Sequence, residues 1–209
     1  MCFLGTLFCT ILIAQTPQRI NSGEIITKAN QLHNEGKYEE AIKMYRQVPR
    51  NDSNYIKSLY EILLTQIDDS AYTDALKTCE KALALQHPDY EKQFFLLYGN
   101  VTDELGESAK AIRIYDSALQ KYPYNNDLWF HKGIAFMRQE KINEASEIFK
   151  TLLIKDPYYA SAHYRLAQCA IQQGQVVPAM FSALTYLLTN PSGKHFSNAI
   201  TLLNQISKV

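Results

Sequence analysis

This 209-residue chain has no excess charge of either sign: 21 Lys and Arg stand against 21 Asp and Glu. Nucleic-acid binding through the phosphate backbone draws on a basic excess, so the composition argues against it. Glycine is scarce, at 8 residues, or about half the usual share of roughly 7 %. With only 7 prolines, that excludes a collagen-like or linker-rich chain and leaves an all-helical one open. Cysteines number 4. Two of them, Cys2 and Cys9, lie near the start, while Cys79 and Cys169 stand far apart, so neither a zinc site nor a disulfide framework is indicated. No apolar run reaches the roughly 20 residues of a membrane-spanning helix.

Catalytic signatures are missing too. The chain contains no GxSxG, HExxH, GxGxxG or GxxxxGK segment. The acidic doublets Glu39-Glu40 and Asp68-Asp69 read as solvated charges. The histidines (His33, His87, His131, His163 and His195) lack metal-ligand spacing, although His131 and His163 could approach each other across two units. Cys79 and Cys169 read as small buried hydrophobes. No cofactor is implied, and enzymatic activity is not expected.

What is present is apolar material, 46 % of the chain, with 20 % charged residues. That is the balance of a folded protein rather than a disordered one. From Cys2 to Ala14 the chain carries no charge, which fits the apolar region of a secretory signal peptide. We therefore expect a leader over 1–14 and a short linker over 15–21, with export to the bacterial envelope. The alternative is a cytoplasmic protein whose first segment packs on the fold.

The decisive feature is an internal period. Ala41, Ala75, Ala111, Ala145 and Ala179 are spaced 34, 36, 34 and 34 residues apart, and Pro88, Pro123, Pro157 and Pro191 are spaced 35, 34 and 34. Twelve residues before the alanines stand Ala29, Leu63, Gly99, Gly133 and Ala167, and four after them Tyr45, Cys79, Tyr115, Phe149 and Ala183. Small residues let two helices cross closely, and the larger ones fill the space between units. Gly36, Gly106 and Gly174 supply left-handed ends for first helices, and the prolines stop second helices. Each unit is thus a pair of amphipathic helices joined by a tight turn.

At these residues the chain resembles the tetratricopeptide repeat family. The fourth unit matches best, with Trp129, Gly133, Phe136, Ala145, Phe149 and Pro157. The third carries Gly99, Leu105, Gly106, Ala111, Tyr115, Ala118 and Pro123. The first has Ala29, Gly36, Tyr38, Ala41 and Tyr45. The fifth keeps Ala167, Gly174, Ala179 and Pro191 but has Ala183 for the aromatic. The second is weakest, with Leu63 and Cys79. Five units are expected over 22–193 (22–55, 56–91, 92–125, 126–159 and 160–193), followed by a capping helix or the start of a sixth unit over 194–209. In that tail Phe196, Ala199, Ile200, Leu203 and Ile206 form the apolar stripe.

The resemblance implies an all-α, right-handed solenoid of helix-turn-helix units. Its concave groove is lined by the first helix of each unit. Mapped onto this chain, that face offers Ile26, Asn30 and His33, then Lys57, Tyr60, Leu64 and Ile67. Gln93, Leu96, Asn100 and Asp103 follow, then Asp127, Phe130, Ile134, Met137 and Arg138, and last Ser161, Tyr164, Gln168 and Ile171. The lining is apolar for a solvent-facing surface, which marks an interaction site. The chaperone-tail clamp of some family members is incomplete here, because Ile26 and Leu96 stand at its lysine positions and Ser161 at another. The expectation is a non-enzymatic scaffold that binds a protein or peptide through Asn30, Tyr60, Leu64, Asn100, Phe130, Ile134, Met137, Arg138, Tyr164 and Gln168. Alternatives are a module of a larger envelope-assembly protein, or an accessory subunit of an enzyme complex. Self-association through the groove or the end helices is also compatible.

Overall fold

The alternation of amphipathic segments and turn signals produces helices in pairs. The computed structural model describes residues 21–206; the apolar leader expected over Cys2–Ala14 lies outside them. Among the described residues there are eleven α-helices and no strand. They are α1 (Ser22–Asn34), α2 (Tyr38–Tyr45), α3 (Tyr55–Asp68), α4 (Tyr72–Leu83), α5 (Glu91–Glu104), α6 (Ser108–Lys121), α7 (Asn126–Arg138), α8 (Ile142–Lys155), α9 (Ala160–Gln172), α10 (Val176–Thr189) and α11 (Phe196–Ile206). Each helix packs chiefly on its neighbours in sequence, and α5 also touches α7. This is the expected all-α solenoid.

The turn inside each pair follows one pattern. Gly36, Gly106 and Gly174 take φ of 74°, 81° and 70°, and Ser70 and Glu140 take 57° and 59° at the same step of the repeat. The next residue's N–H reaches back five residues, as in Lys37 to the Leu32 carbonyl (2.9 Å) and Lys141 to that of Phe136 (3.0 Å). The left-handed residue bonds three residues back, Gly36 to His33 and Glu140 to Met137, both at 2.9 Å. These are Schellman ends, which satisfy carbonyls a helix terminus otherwise leaves open.

Within each pair, one contact fixes how closely the helices approach. Gly99 lies under the Tyr115 ring and Gly133 under that of Phe149, with no room for a Cβ at either glycine. Tyr115 and Phe149 are fully buried, and so are Tyr45 and Tyr186. Truncating a buried aromatic of this kind costs about 3–5 kcal/mol. The second unit, weakest by motif, reverses the sizes: Leu63 and Cys79 are both fully buried, with the larger side chain on the first helix. In the fifth unit both residues are small, Ala167 and Ala183, and Leu202 of α11 joins their cluster.

The last helix differs from the expected stripe. Ala199 and Leu202 are buried, while Phe196 and Ile200 remain 38 % and 39 % exposed. The buried face is therefore turned toward Leu202, because the Ala167–Ala183 space accepts a leucine there. No helix is long and apolar enough to cross a membrane among the described residues.

Candidate binding groove

The first helices α1, α3, α5, α7 and α9 carry the side chains singled out from the sequence. Residues four and three apart share a helix face, so Tyr60, Leu64 and Ile67 align on α3, and Phe130, Ile134 and Met137 on α7. All six are half-buried. Tyr60, Ile67, Phe130, Ile134 and Met137 pack against the core clusters. Tyr60 packs on Tyr90 and Phe94, with ring centroids 5.6 and 6.0 Å away. Phe130 packs on Phe149 and Tyr159 at 5.9 and 5.5 Å. Such tilted and edge-on aromatic contacts fix ring orientation.

Two asparagines are held by one device in two units. The Tyr45 hydroxyl donates to Asn30 Oδ1 at 2.5 Å, and the Tyr115 hydroxyl donates to Asn100 Oδ1 at 2.7 Å. Burial pushes the Tyr45 phenol up to about 12, with Glu61 adding to the shift, and pushes Tyr115 up as well. Both hydroxyls therefore keep the proton they donate. With its oxygen engaged, each amide is held in orientation, with its NH2 group as the donor.

Arg138 bridges two units. Its guanidinium lies 3.0 Å from the Asp103 carboxylate and also pairs with Glu104. The hydrogen bond to Glu104 holds its pKa above the ordinary arginine value. Asp103, only 6 % exposed, also accepts from the Ser108 hydroxyl. Gln168 accepts from Arg165 at 2.9 Å and donates to the Tyr164 hydroxyl at 3.2 Å.

Three expected groove residues are not open. Ile26, Asp103 and Tyr164 are buried. Tyr164 is covered because His195, beyond Pro191, stacks on its ring at 4.5 Å with an interplanar angle of 5°. The sequence carried no signal for that lid, since His195 lies outside the repeating columns. The Tyr159–Asp127 hydrogen bond (2.8 Å), which ties the residue before α9 to the first turn of α7, was missed as well. Its positions differ in type from unit to unit, so no column marks it.

The cysteines and two of the histidines are held by burial or by contacts. Burial raises Cys79 to about 12 and Cys169 to about 11, so neither thiol is a nucleophile at neutral pH. His163 Nε2 engages the Pro157 carbonyl at 2.8 Å, and His131 lies edge-on to Phe130. Among the described residues no group of His, Cys, Asp and Glu is placed to hold a metal ion.

Comparison with known proteins agrees with the fold. The tetratricopeptide repeat family matches over residues 136–206. No curated protein matches the chain in sequence. Solved structures do match in fold. PilW, described as a widely conserved type IV pilus biogenesis factor, superposes with a TM-score of 0.70 at 18 % identity, over 90 % of this chain and 84 % of that one. MamA from Desulfovibrio magneticus RS-1 gives 0.66 at 16 % identity, over 83 % and 97 %. YrrB, described as a TPR protein with an unusual peptide-binding site, gives 0.61 at 19 % identity, over 88 % and 91 %. At these identities the likeness is one of fold.

Proposed function

We propose that the chain, a tetratricopeptide-repeat protein, is a non-enzymatic interaction scaffold that holds an extended peptide segment of a partner protein along its first helices. The observation that carries this reading is the half-buried row Tyr60, Leu64, Phe130, Ile134 and Met137 on the first helices α3 and α7. Apolar partner side chains would be buried against that row. Asn30 and Asn100, fixed by their tyrosines, would donate to the partner's backbone carbonyls, and Arg138 and Gln168 would contribute polar contacts at the rim. Tyr164 acts as support beneath His195. Fixed donors matter because affinity is lost when recognition groups must first be ordered. The likeness to YrrB, whose description includes a peptide-binding site, supports the same use.

Selection of phage-displayed peptides against the full chain tests this. Selected peptides are expected to weaken at least tenfold on Leu64→Ala, Met137→Ala or Asn100→Ala, with helicity by circular dichroism unchanged. Peptides that bind all three folded variants as well as the wild type would overturn the reading.

The uncharged apolar run Cys2–Ala14 supports export to the bacterial envelope as the setting for this scaffold. Mass spectrometry of the mature N-terminus tests it: the expected chain lacks the leader, and an intact Met1 in the soluble cytoplasmic fraction would refute export.

A further inference from the structure

The repeat supplies its own control for the outer face of the second helices. Phe181 on α10 stands where the four earlier units carry Lys43, Lys77, Arg113 and Glu147. Leu184 stands where they carry Arg46, Glu80, Asp116 and Lys150. All ten positions are exposed. The same outward column is thus charged in every unit but the fifth. There Val177, Phe181, Leu184 and Leu188 are 56 %, 62 %, 40 % and 82 % exposed. Their 4-3-4 spacing makes one stripe along the roughly 21 Å of a 14-residue helix.

We propose that this face of α10 is a homodimer interface, in which the α10 helices of two copies pair antiparallel about a two-fold axis. This is independent of the groove and its ligand. Three observations favour a second copy over other occupants. First, no Asp, Glu, Lys or Arg occurs between Arg165 and Lys194. A two-fold axis brings each face against itself, so a charged stripe would meet its own sign, and this one meets none. A helix lying on a lipid surface uses Lys or Arg on its polar face, and α10 has neither.

Second, the stripe is self-complementary. Antiparallel pairing centred between Phe181 and Leu184 sets Phe181 against Leu184 of the other copy and Val177 against the protruding Leu188. At that same end of the helix lies a cavity of about 240 Å³ lined by Ile171, Gly174, Val176, Gln205 and Ile206, beside the place where Leu188 of the second copy arrives. Third, exposed apolar surface extends past the stripe. A standard interface takes about 800 Å² from each partner. Beyond the stripe, Val176 is 42 % exposed and Phe196 and Ile200 on the adjoining α11 are 38 % and 39 % exposed.

Sedimentation velocity of the full chain, with lipid vesicles as a second arm, tests the proposal. The wild type is expected to be a dimer at micromolar concentration. Phe181→Lys and Leu184→Glu should each raise the dissociation constant at least 100-fold with helicity unchanged, because each leaves a lone charge against an apolar side chain. Mixed in equal amounts, the two variants should recover a dimer, because the lysine of one then faces the glutamate of the other. A wild type that stays monomeric at 100 µM overturns the proposal, as does a dimer that both single variants preserve. Failure of the mixture to pair overturns the antiparallel register. A monomer that binds zwitterionic vesicles through Phe181 would assign the face to lipid and overturn it too.

Discussion

Gly99 and Tyr115 occupy one space: the tyrosine ring lies where a Cβ on residue 99 would be. The ring cannot retreat, since it is 1 % exposed and its hydroxyl is bound to Asn100. Gly99→Ala therefore sets a helix-propensity gain of about 1 kcal/mol against overpacking of about 1–3 kcal/mol. We expect a net loss of up to about 2 kcal/mol in urea unfolding. The second unit shows the remedy, with Leu63 over Cys79. Gly99→Leu combined with Tyr115→Cys should be less destabilised than the sum of the two single changes. Additive losses would show that pair volume does not govern the crossing.

The turn column makes a prediction of opposite sign. Ser70 and Glu140 hold φ of 57° and 59° where three other units use glycine. An L-residue in that region costs about 1–2 kcal/mol, while glycine adds about 0.4–1 kcal/mol of unfolded-state entropy. Ser70→Gly and Glu140→Gly should each stabilise the chain by about 0.5–1 kcal/mol. Distant sites add, so the double variant should show the sum as a raised urea midpoint. Loss of stability in either would mean that its side chain contributes more than the turn costs.

His131 gives the array a pH dependence. Burial holds its pKa below the ordinary histidine value, with Asp127 and Asp103 opposing and Arg138 assisting. The unfolded chain thus takes up the proton first, near pH 6.5. The stability contributed by the neutral ring is complete above that pH and is lost as pH falls through it toward the lower folded value. Unfolding free energy should decline between about pH 7 and 5, and His131→Gln should flatten the slope. His195 is shifted in the same direction, again by burial first, so the double change with His195→Gln should flatten it further. An unchanged slope in the double variant would place the dependence elsewhere.

The periodic columns were legible in the sequence because each has a single steric reason, repeated in one chain. Gly99, Gly133 and Ala29 must be small beneath Tyr115, Phe149 and Tyr45, and that constraint shows in residue type. Leu63 and Cys79 read singly as a failed match, whereas together they fill the crossing as the small–aromatic pairs of the first, third and fourth units do. What was not legible depended on contacts outside the period. The burial of Tyr164 comes from His195, and the rotation of α11 follows from the space left by two alanines. The apolar outer face of α10 was visible as sequence, but the period had to be laid over observed exposure before it stood out.

Leu202 seats α11 on the fifth unit. It is 8 % exposed and clusters with Ala167 and Ala183, the one small–small pair among the five crossings. Leu202→Ala would leave that space unfilled, and buried Leu→Ala changes cost about 2–5 kcal/mol. In a repeat array each unit contacts only its neighbours, so the loss should be local. Hydrogen exchange should quicken in α9, α10 and α11, with α1 to α4 unchanged. Ala183→Leu in the same background refills the space from the other side and should restore much of the protection. Equal loss of protection along the whole chain would instead show that the five units unfold as one, with α11 holding them all.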